Sequence, residues 1–212
     1  MALERELKFS VLDPRVPALV ELEAALSASG LRASSAPEQD LHDRYFDDDA
    51  GSLHAAGLAL RRRRQGDEAW AGIKAGGEHD GALHVREELE VPLATAALDA
   101  PWPGAILERL AGIVEPEALA PKVELETHRV CFLIHSGEDA VAMLSFDAVT
   151  ARAPGAERDA LFDEVEIEAL AERTSRADLE GIAEAVDGLV RLTPNPVNKL
   201  ERAEALLLLA TW

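Results

Sequence analysis

The chain has 212 residues, of which 40 are acidic and 21 basic, giving a formal net charge of −19 at pH 7. This surplus of negative charge argues against non-specific binding to nucleic acid or to an anionic membrane, because both need an extended basic surface. We expect a single domain over residues 1–212, with no nucleic-acid or membrane partner.

Cysteine content and hydropathy indicate the cellular compartment in which the protein is expected. Cys131 is the single cysteine, so the chain cannot form an internal disulfide, and its apolar neighbours predict a buried small side chain. The N-terminus carries no apolar signal stretch, and the longest aliphatic run, residues 206–209, is too short to cross a bilayer. We therefore expect a cytoplasmic protein.

The first predicted element is a strand near the N-terminus. Side chains of a strand alternate between two faces, so Glu4, Glu6 and Lys8 share one face while Leu7 and Phe9 lie on the other. A solvated strand face has this pattern. A site for a divalent cation and a polyphosphate has it too, because such a site needs carboxylate oxygens and a cation side by side.

A helix is predicted next, over residues 15–29. Asp13 and Pro14 provide a cap and a first turn, leucines follow at helical spacing, and Gly30 ends the segment. A short helical turn is predicted over residues 52–56.

A β-hairpin follows, and its first strand carries four consecutive arginines. Arg61 and Arg63 lie on one face of this strand, and Arg62 and Arg64 lie on the other. The second strand of the hairpin ends at Lys74. A nucleic-acid or targeting patch is the alternative interpretation of the arginine run, but the strand context and the acidic remainder of the chain disfavour it.

Two later strands repeat this period-two placement of charge. One strand groups Arg86 with Glu88 and Glu90. The other strand groups three carboxylates on one face, and these are Glu164, Glu166 and Glu168. Like charges so close repel one another, so the concentration of acidic residues on some strands and of basic residues on others suggests a ligand that neutralises them.

Three further helices are predicted between and after these strands. One covers residues 105–111, and two begin at capping boxes, formed by Ser175 with Asp178 and by Asn198 with Glu201. Their apolar stripes need a surface to cover.

The ordered set of motifs resembles the CYTH superfamily, also called the triphosphate tunnel metalloenzymes, over residues 4–199. Two motifs depart from the usual pattern, because Asn198-Lys199 stands where a Ser-Lys pair is more common and Gly72-Ile73-Lys74 is a loose version of its strand. The resemblance rests on Glu4-x-Glu6-x-Lys8, Tyr45-Phe46-Asp47, Leu60-Arg61-Arg62-Arg63, Lys74, Arg86-Glu87-Glu88-Leu89-Glu90, Arg129, Asp147, the alternation from Glu164 to Glu168, and Asn198-Lys199.

The resemblance implies an α+β fold. Members of this family have an eight-stranded antiparallel closed β-barrel whose charged interior forms a tunnel, with helices packed on the outer face. They act on triphosphates with Mg²⁺ or Mn²⁺. We therefore expect an enzyme whose partner is a small-molecule triphosphate, and the sequence gives no oligomeric state.

Three groups of candidate site residues follow. Arginine suits bidentate contact with phosphate oxygens and lysine acts as a point charge, so the substrate-binding candidates are Lys8, Arg61, Arg63, Lys74, Arg86, Arg129 and Lys199. The resemblance implies a metal site formed by Glu4, Glu6, Asp147, Glu164, Glu166 and Glu168. A carboxylate that orients the attacking water is sought among Glu88, Glu90 and Glu166, which the sequence does not separate.

Some other polar side chains are weaker candidates. Tyr45 is either a hydroxyl donor to the substrate or an aromatic at the end of the barrel. His128 and His135 lie near a strand and are minor candidates for catalysis. His42, His54, His79 and His84 have no ligand spacing to one another or to the cysteine, so we expect no zinc site.

The expected reaction is hydrolysis of inorganic triphosphate to diphosphate and phosphate. Aromatic residues make up only 4% of the chain, whereas an organic group would need aromatic or apolar walls. Thiamine triphosphatase and class IV adenylate cyclase activities are the alternatives within the family. The alternative of another class is a noncatalytic polyphosphate- or nucleotide-binding module, which the surplus of carboxylates disfavours because they repel phosphate.

Overall fold

The computed structural model describes residues 2–210. Its strands are β1 (Ala2–Val11), β2 (Leu31–Ser35), β3 (Gln39–Asp47), β4 (Leu58–Gln65), β5 (Glu68–Ala75), β6 (Glu78–Asp80), β7 (Leu83–Pro92), β8 (Ala120–Ser136), β9 (Asp139–Arg152), β10 (Ala160–Ala169) and β11 (Leu192–Pro194). Its helices are α1 (Leu19–Leu26), α2 (Ser52–Ala55), α3 (Gly104–Leu110), α4 (Arg176–Asp187) and α5 (Lys199–Ala210), with 3₁₀ turns at Ser27–Ser29 and Pro116–Ala118.

Eight of the strands close into a barrel in the order β1-β10-β9-β8-β3-β4-β5-β7. Strand β7 pairs back onto β1 to complete the ring, and every pair in it is antiparallel. The short strands β2, β6 and β11 pair on the side of the ring, with β8, β7 and β1 respectively. The predicted closed antiparallel barrel with outer helices is confirmed.

Strand alternation separates an apolar outer face from a charged interior. Leu7 of β1 and Val165 and Ile167 of β10 belong to one buried cluster with Leu22 of α1 and Ile182 of α4. Each such side chain contributes about 1.5–3 kcal/mol when it is fully buried. Since the outer positions of β1 and β10 are held under these helices, the positions between them must face the interior.

Both predicted capping boxes are present. The Ser175 hydroxyl accepts from the Asp178 backbone N–H at 3.2 Å, and the Asp178 carboxylate accepts from the Ser175 N–H at 2.7 Å. Asn198 and Glu201 exchange the same two bonds, each at 3.0 Å. The second box fixes where α5 begins.

The first helix is shorter than predicted. It begins at Leu19 rather than near residue 15, because Pro17 disfavours helical backbone at the residue before it. The hairpin of β4 and β5 is found as predicted. None of the described helices has the length and apolarity that a membrane crossing requires.

Helix α5 packs against one end of the barrel. Its Ala203 and Leu207 lie in a buried cluster with Val123 and Leu125 of β8 and Phe162 of β10. This apolar layer sets the position of the first turn of α5, from which the Lys199 side chain reaches the charged interior.

Candidate active site

The barrel encloses a charged cavity of about 210 Å³, which we call the tunnel cavity. All eight barrel strands and the start of α5 contribute to its lining. It gathers every cation predicted to bind substrate, namely Lys8, Arg61, Arg63, Lys74, Arg86, Arg129 and Lys199. Its carboxylates are Glu4, Glu6, Glu88, Glu90, Glu166 and Glu168.

One wall is built where β1 meets β7. Glu4 accepts hydrogen bonds from Lys74 and from Arg86, each at 2.7 Å, and Glu6 accepts from Arg86 at 2.6 Å. Burial alone would raise the pKa of Glu4, but Lys74 and Arg86 outweigh it and hold the pKa well below its usual range. Glu4 is therefore ionised at neutral pH.

Glu166 is the centre of a second group of ion pairs, where β10 meets β1. It accepts a hydrogen bond from Lys8 and another from Arg129 at 2.5 Å, and the Lys199 ammonium lies 3.4 Å away. Burial raises the pKa of Glu166, but these three cations lower it well below its usual value. One carboxylate therefore holds three of the predicted phosphate-binding groups in place.

Two predicted metal ligands do not line the tunnel cavity. Asp147 accepts two hydrogen bonds from Arg129, at 2.6 and 2.7 Å, and one from Lys199 at 2.5 Å. Glu164 accepts from Asn195 at 3.1 Å, with its side chain fully buried. Asp147 is placed to orient both Lys199 and Arg129 from behind, and Glu164 lies 3.6 Å from the Lys199 ammonium.

A third group of ion pairs joins β4 to β7. Arg61 donates to Glu88 at 3.1 Å and to Glu90 at 2.8 Å, and Lys74 lies 3.3 Å from Glu88. The period-two pattern of β7 thus places both of these candidates for orienting water on the cavity surface.

Asp43 is a site residue that the sequence reasoning missed. Its fully buried carboxylate accepts from the Arg63 guanidinium at 2.7 and 2.8 Å, which fixes the direction of that arginine. Asp43 stands two positions before Tyr45, which lines the cavity, so alternation along β3 could have found it. Gln39, on the same strand, also lines the cavity and was missed.

The remaining sequence candidates lie elsewhere. His128 is half-exposed on the outer surface and pairs with Asp40 at 2.9 Å, and His135 contacts the Ser34 hydroxyl at 2.8 Å. Neither histidine lines the tunnel cavity. Cys131 is buried as expected.

Residues 2–203 match the family model of the CYTH domain. The chain belongs to the CYTH domain family. No curated protein sequence matches it.

Solved structures share the CYTH fold at low sequence identity. A protein from Hippeastrum, provisionally described as an adenylyl cyclase and reported to have a dominant triphosphatase activity, is similar with a TM-score of 0.63, 17% identity and 95% of each chain covered. A provisionally described adenylate cyclase from Bacillus halodurans has a TM-score of 0.55 and 16% identity over 95% of this chain and 98% of its own. A protein from Pyrococcus horikoshii has a TM-score of 0.53 and 15% identity, covering 98% and 99%.

CYTH triphosphate tunnel enzymes generally depend on a divalent metal, and the donor set of this CYTH chain fits one. Glu4, Glu6, Glu166 and Glu168 bring hard carboxylate oxygens to one cavity. No three acidic, histidine or cysteine side chains among residues 2–210 are already gathered as ligands, because lysines and arginines engage most of these carboxylates. Phosphate oxygens that bind those cations would release the carboxylates for a metal.

Glu168 is the tunnel carboxylate that has no ion pair or hydrogen bond within the described part of the chain. Burial and the neighbouring carboxylates of Glu4 and Glu6 raise the pKa of Glu168 from 4.5 to about 7. A divalent cation at this position would relieve the same repulsion.

We predict that Glu168 titrates near pH 7 in the metal-free protein. Between pH 4.5 and about 7 the folded state keeps a proton that the unfolded state has lost, so Glu168 lowers the stability as pH rises through this window. Carboxyl ¹³C NMR would give the midpoint directly. Adding Mg²⁺ should lower it, and a midpoint near 4.5 without metal would contradict this electrostatic description.

Proposed function

We propose that this CYTH protein hydrolyses triphosphates in the tunnel cavity, with inorganic triphosphate as a substrate and diphosphate and phosphate as products. One observation supports this most directly. In a chain with net charge −19, the seven inward-facing cations are concentrated in a single closed cavity together with carboxylates. The expected partner is a small-molecule triphosphate, and the expected compartment is the cytoplasm.

The cations of the tunnel cavity can neutralise the charge of the substrate. A triphosphate carries about four negative charges that must be partly neutralised before a nucleophile approaches. Arg61, Arg63 and Arg129 can each present two N–H groups to phosphate oxygens, and carboxylates already fix the planes of all three. Asp43 and Asp147 can keep these pairs while the remaining N–H groups of Arg63 and Arg129 bind phosphate, so the arginines need not reorganise.

The carboxylates would hold the metal and direct the water. Glu4, Glu6, Glu166 and Glu168 would bind Mg²⁺ or Mn²⁺, which when bound supplies positive charge at the phosphate oxygens. Glu166 is engaged by three cations, whereas Glu88 has two ion-pair partners among residues 2–210, Arg61 and Lys74. We therefore prefer Glu88, with Glu90 beside it, as the group that orients a water in line with the terminal phosphorus.

The closed barrel also restricts competing chemistry. A cavity of about 210 Å³ leaves little room for bulk water around a bound triphosphate, which strengthens each ion pair with the phosphates. The dominant triphosphatase activity of the Hippeastrum relative is consistent with hydrolysis on this fold.

Phosphate release from inorganic triphosphate, ATP and thiamine triphosphate tests the proposal, with each substrate assayed in Mg²⁺, Mn²⁺ and EDTA. We expect metal-dependent release of phosphate from inorganic triphosphate. Pyrophosphate and cyclic AMP appearing from ATP would instead assign the cyclase reaction. Tight triphosphate binding with no turnover in any metal would identify a binding module.

A further inference from the structure

Asn195 is a buried residue in the short segment that joins β11 to α5, and all of its polar atoms are hydrogen-bonded. Its backbone N–H donates to the Lys8 carbonyl oxygen at 2.9 Å, and its carbonyl oxygen accepts from His84 Nε2–H at 2.9 Å. Its side-chain Nδ2 donates to Glu164 Oε1 at 3.1 Å, and its Oδ1 accepts from the Val197 N–H at 3.3 Å. Asn195 therefore ties this segment to three barrel strands, β1, β7 and β10.

The segment between Asn195 and Lys199 is stiff. Pro194 and Pro196 restrict the backbone on both sides of Asn195. The hydrogen bond that Asn195 Oδ1 accepts closes a turn around Pro196. Asn198 follows as the cap of α5, and Lys199 is the first residue of the helix. A displacement of Asn195 would therefore be passed on to Lys199.

The Glu164 carboxylate contacts three side chains of residues 195–202. Its Oε1 accepts from Asn195 at 3.1 Å and from Arg202 at 3.2 Å, and its Oε2 lies 3.6 Å from Lys199 Nζ. This Oε2 is buried and has no hydrogen-bond partner among residues 2–210. Glu164 is thus placed to hold the start of α5 rather than to bind a metal ion in the tunnel cavity, which it does not line.

The Lys199 ammonium needs such support because it lies among three carboxylates. It donates to Asp147 at 2.5 Å and lies 3.4 Å from Glu166 and 3.6 Å from Glu164. An ammonium is a point charge on a flexible stem, so it lacks the planar shape that fixes the direction of an arginine. A small displacement of the first turn of α5 would change which carboxylate Lys199 contacts and how far it reaches into the tunnel cavity.

We propose that Asn195 is a positioning residue for substrate binding, because it fixes the start of α5 to the barrel and so holds the Lys199 ammonium within reach of a substrate phosphate. This rests on the proposed function. Asn195 lies outside the lining of the tunnel cavity, so it acts through Lys199 and not by contact with the triphosphate. Its amide is uncharged, so removing it neither frees a cation nor removes a metal ligand.

A double-mutant cycle tests this through the affinity for inorganic triphosphate, measured by calorimetry in EDTA. We expect N195A to weaken binding about tenfold, the size of one charge-assisted hydrogen bond. In a K199M background the same substitution should change the affinity little, because the side chain that Asn195 positions is absent. In an R61M background the loss should again be about tenfold, since Arg61 is held by Glu88 and Glu90 of β7.

The matched control is T193A. Thr193 lies two positions before Asn195 and is exposed, so this variant should bind triphosphate like the unmodified protein. N195S keeps a small polar group at the buried position and carries the same measurements should N195A fail to fold.

A second readout needs neither turnover nor a bound ligand. The chain has four lysines, so their side-chain ¹³Cε NMR signals can be assigned by one substitution each. N195A should shift the signal of Lys199 and leave the signals of Lys74 and Lys122 in place.

Three results would overturn this inference. They are an unchanged affinity in N195A, an equal loss of affinity with and without the Lys199 side chain, and an unmoved Lys199 signal in N195A. The second would show that Asn195 has only a structural role. If no substrate is hydrolysed, the proposed function fails, and the NMR signals still decide whether Asn195 positions Lys199.

Discussion

Replacing Glu4 and Glu6 together with glutamine is expected to lower kcat about a thousandfold while affinity for triphosphate is retained or increases. The two carboxylates are proposed metal ligands, and they also occupy the donors of Lys74 and Arg86. Glutamine removes the charge that holds the metal. It also leaves both cations free to bind phosphate, so the effects on turnover and on binding have opposite signs.

Steady-state kinetics in Mg²⁺ and calorimetric binding of triphosphate in EDTA separate these two effects. Glu87→Gln is the matched control, because Glu87 lies between two tunnel residues of β7 but is exposed. That variant should behave like the unmodified protein. Full turnover in the Glu4→Gln, Glu6→Gln variant would show that these carboxylates take no part in the reaction.

The second large effect is on stability. Asp147→Asn and Lys199→Met are each expected to destabilise the fold by about 3–5 kcal/mol, because each leaves part of a buried ion network unpaired. The double variant should lose less than the sum of the two single variants, since both members of the pair are then removed together.

Urea unfolding at pH 7 measures these differences. The exposed pair of Arg173 with Asp139 is the control, because its side chains are 62% and 66% exposed and such a pair contributes about 0–1 kcal/mol. Additive losses at Asp147 and Lys199 would mean that the two side chains do not act as one buried pair.

Alternation of charge along single strands predicted most of the tunnel wall. The inward faces of β1, β7 and β10 follow directly from Glu4-x-Glu6-x-Lys8 and the similar patterns later in the chain, because successive side chains of a strand point to opposite faces. Closure of the ring then turns these separate faces into one interior. The family resemblance supplied that closure, which no single strand encodes.

The alternation does not predict how deep in the barrel each inward-facing side chain lies, and therefore which of them reach the cavity. Glu164 and Glu168 share a face of β10, yet Glu168 lines the cavity while Glu164 lies behind its wall. That difference depends on where α5 packs. The position of α5 is set by its contacts with β8 and β10, which are far from it in the sequence. The pairing of Asp43 with Arg63 likewise depends on strand register.

A crystal structure with Mn²⁺ and the non-hydrolysable analogue imidotriphosphate tests the central claim most directly. We predict phosphate density inside the barrel against Arg61, Arg63 and Arg129, and an anomalous manganese peak beside the carboxylates of β1 and β10. Density for the analogue outside the barrel, with the ion pairs of the tunnel cavity unchanged, would contradict the assignment of the tunnel as the reaction site.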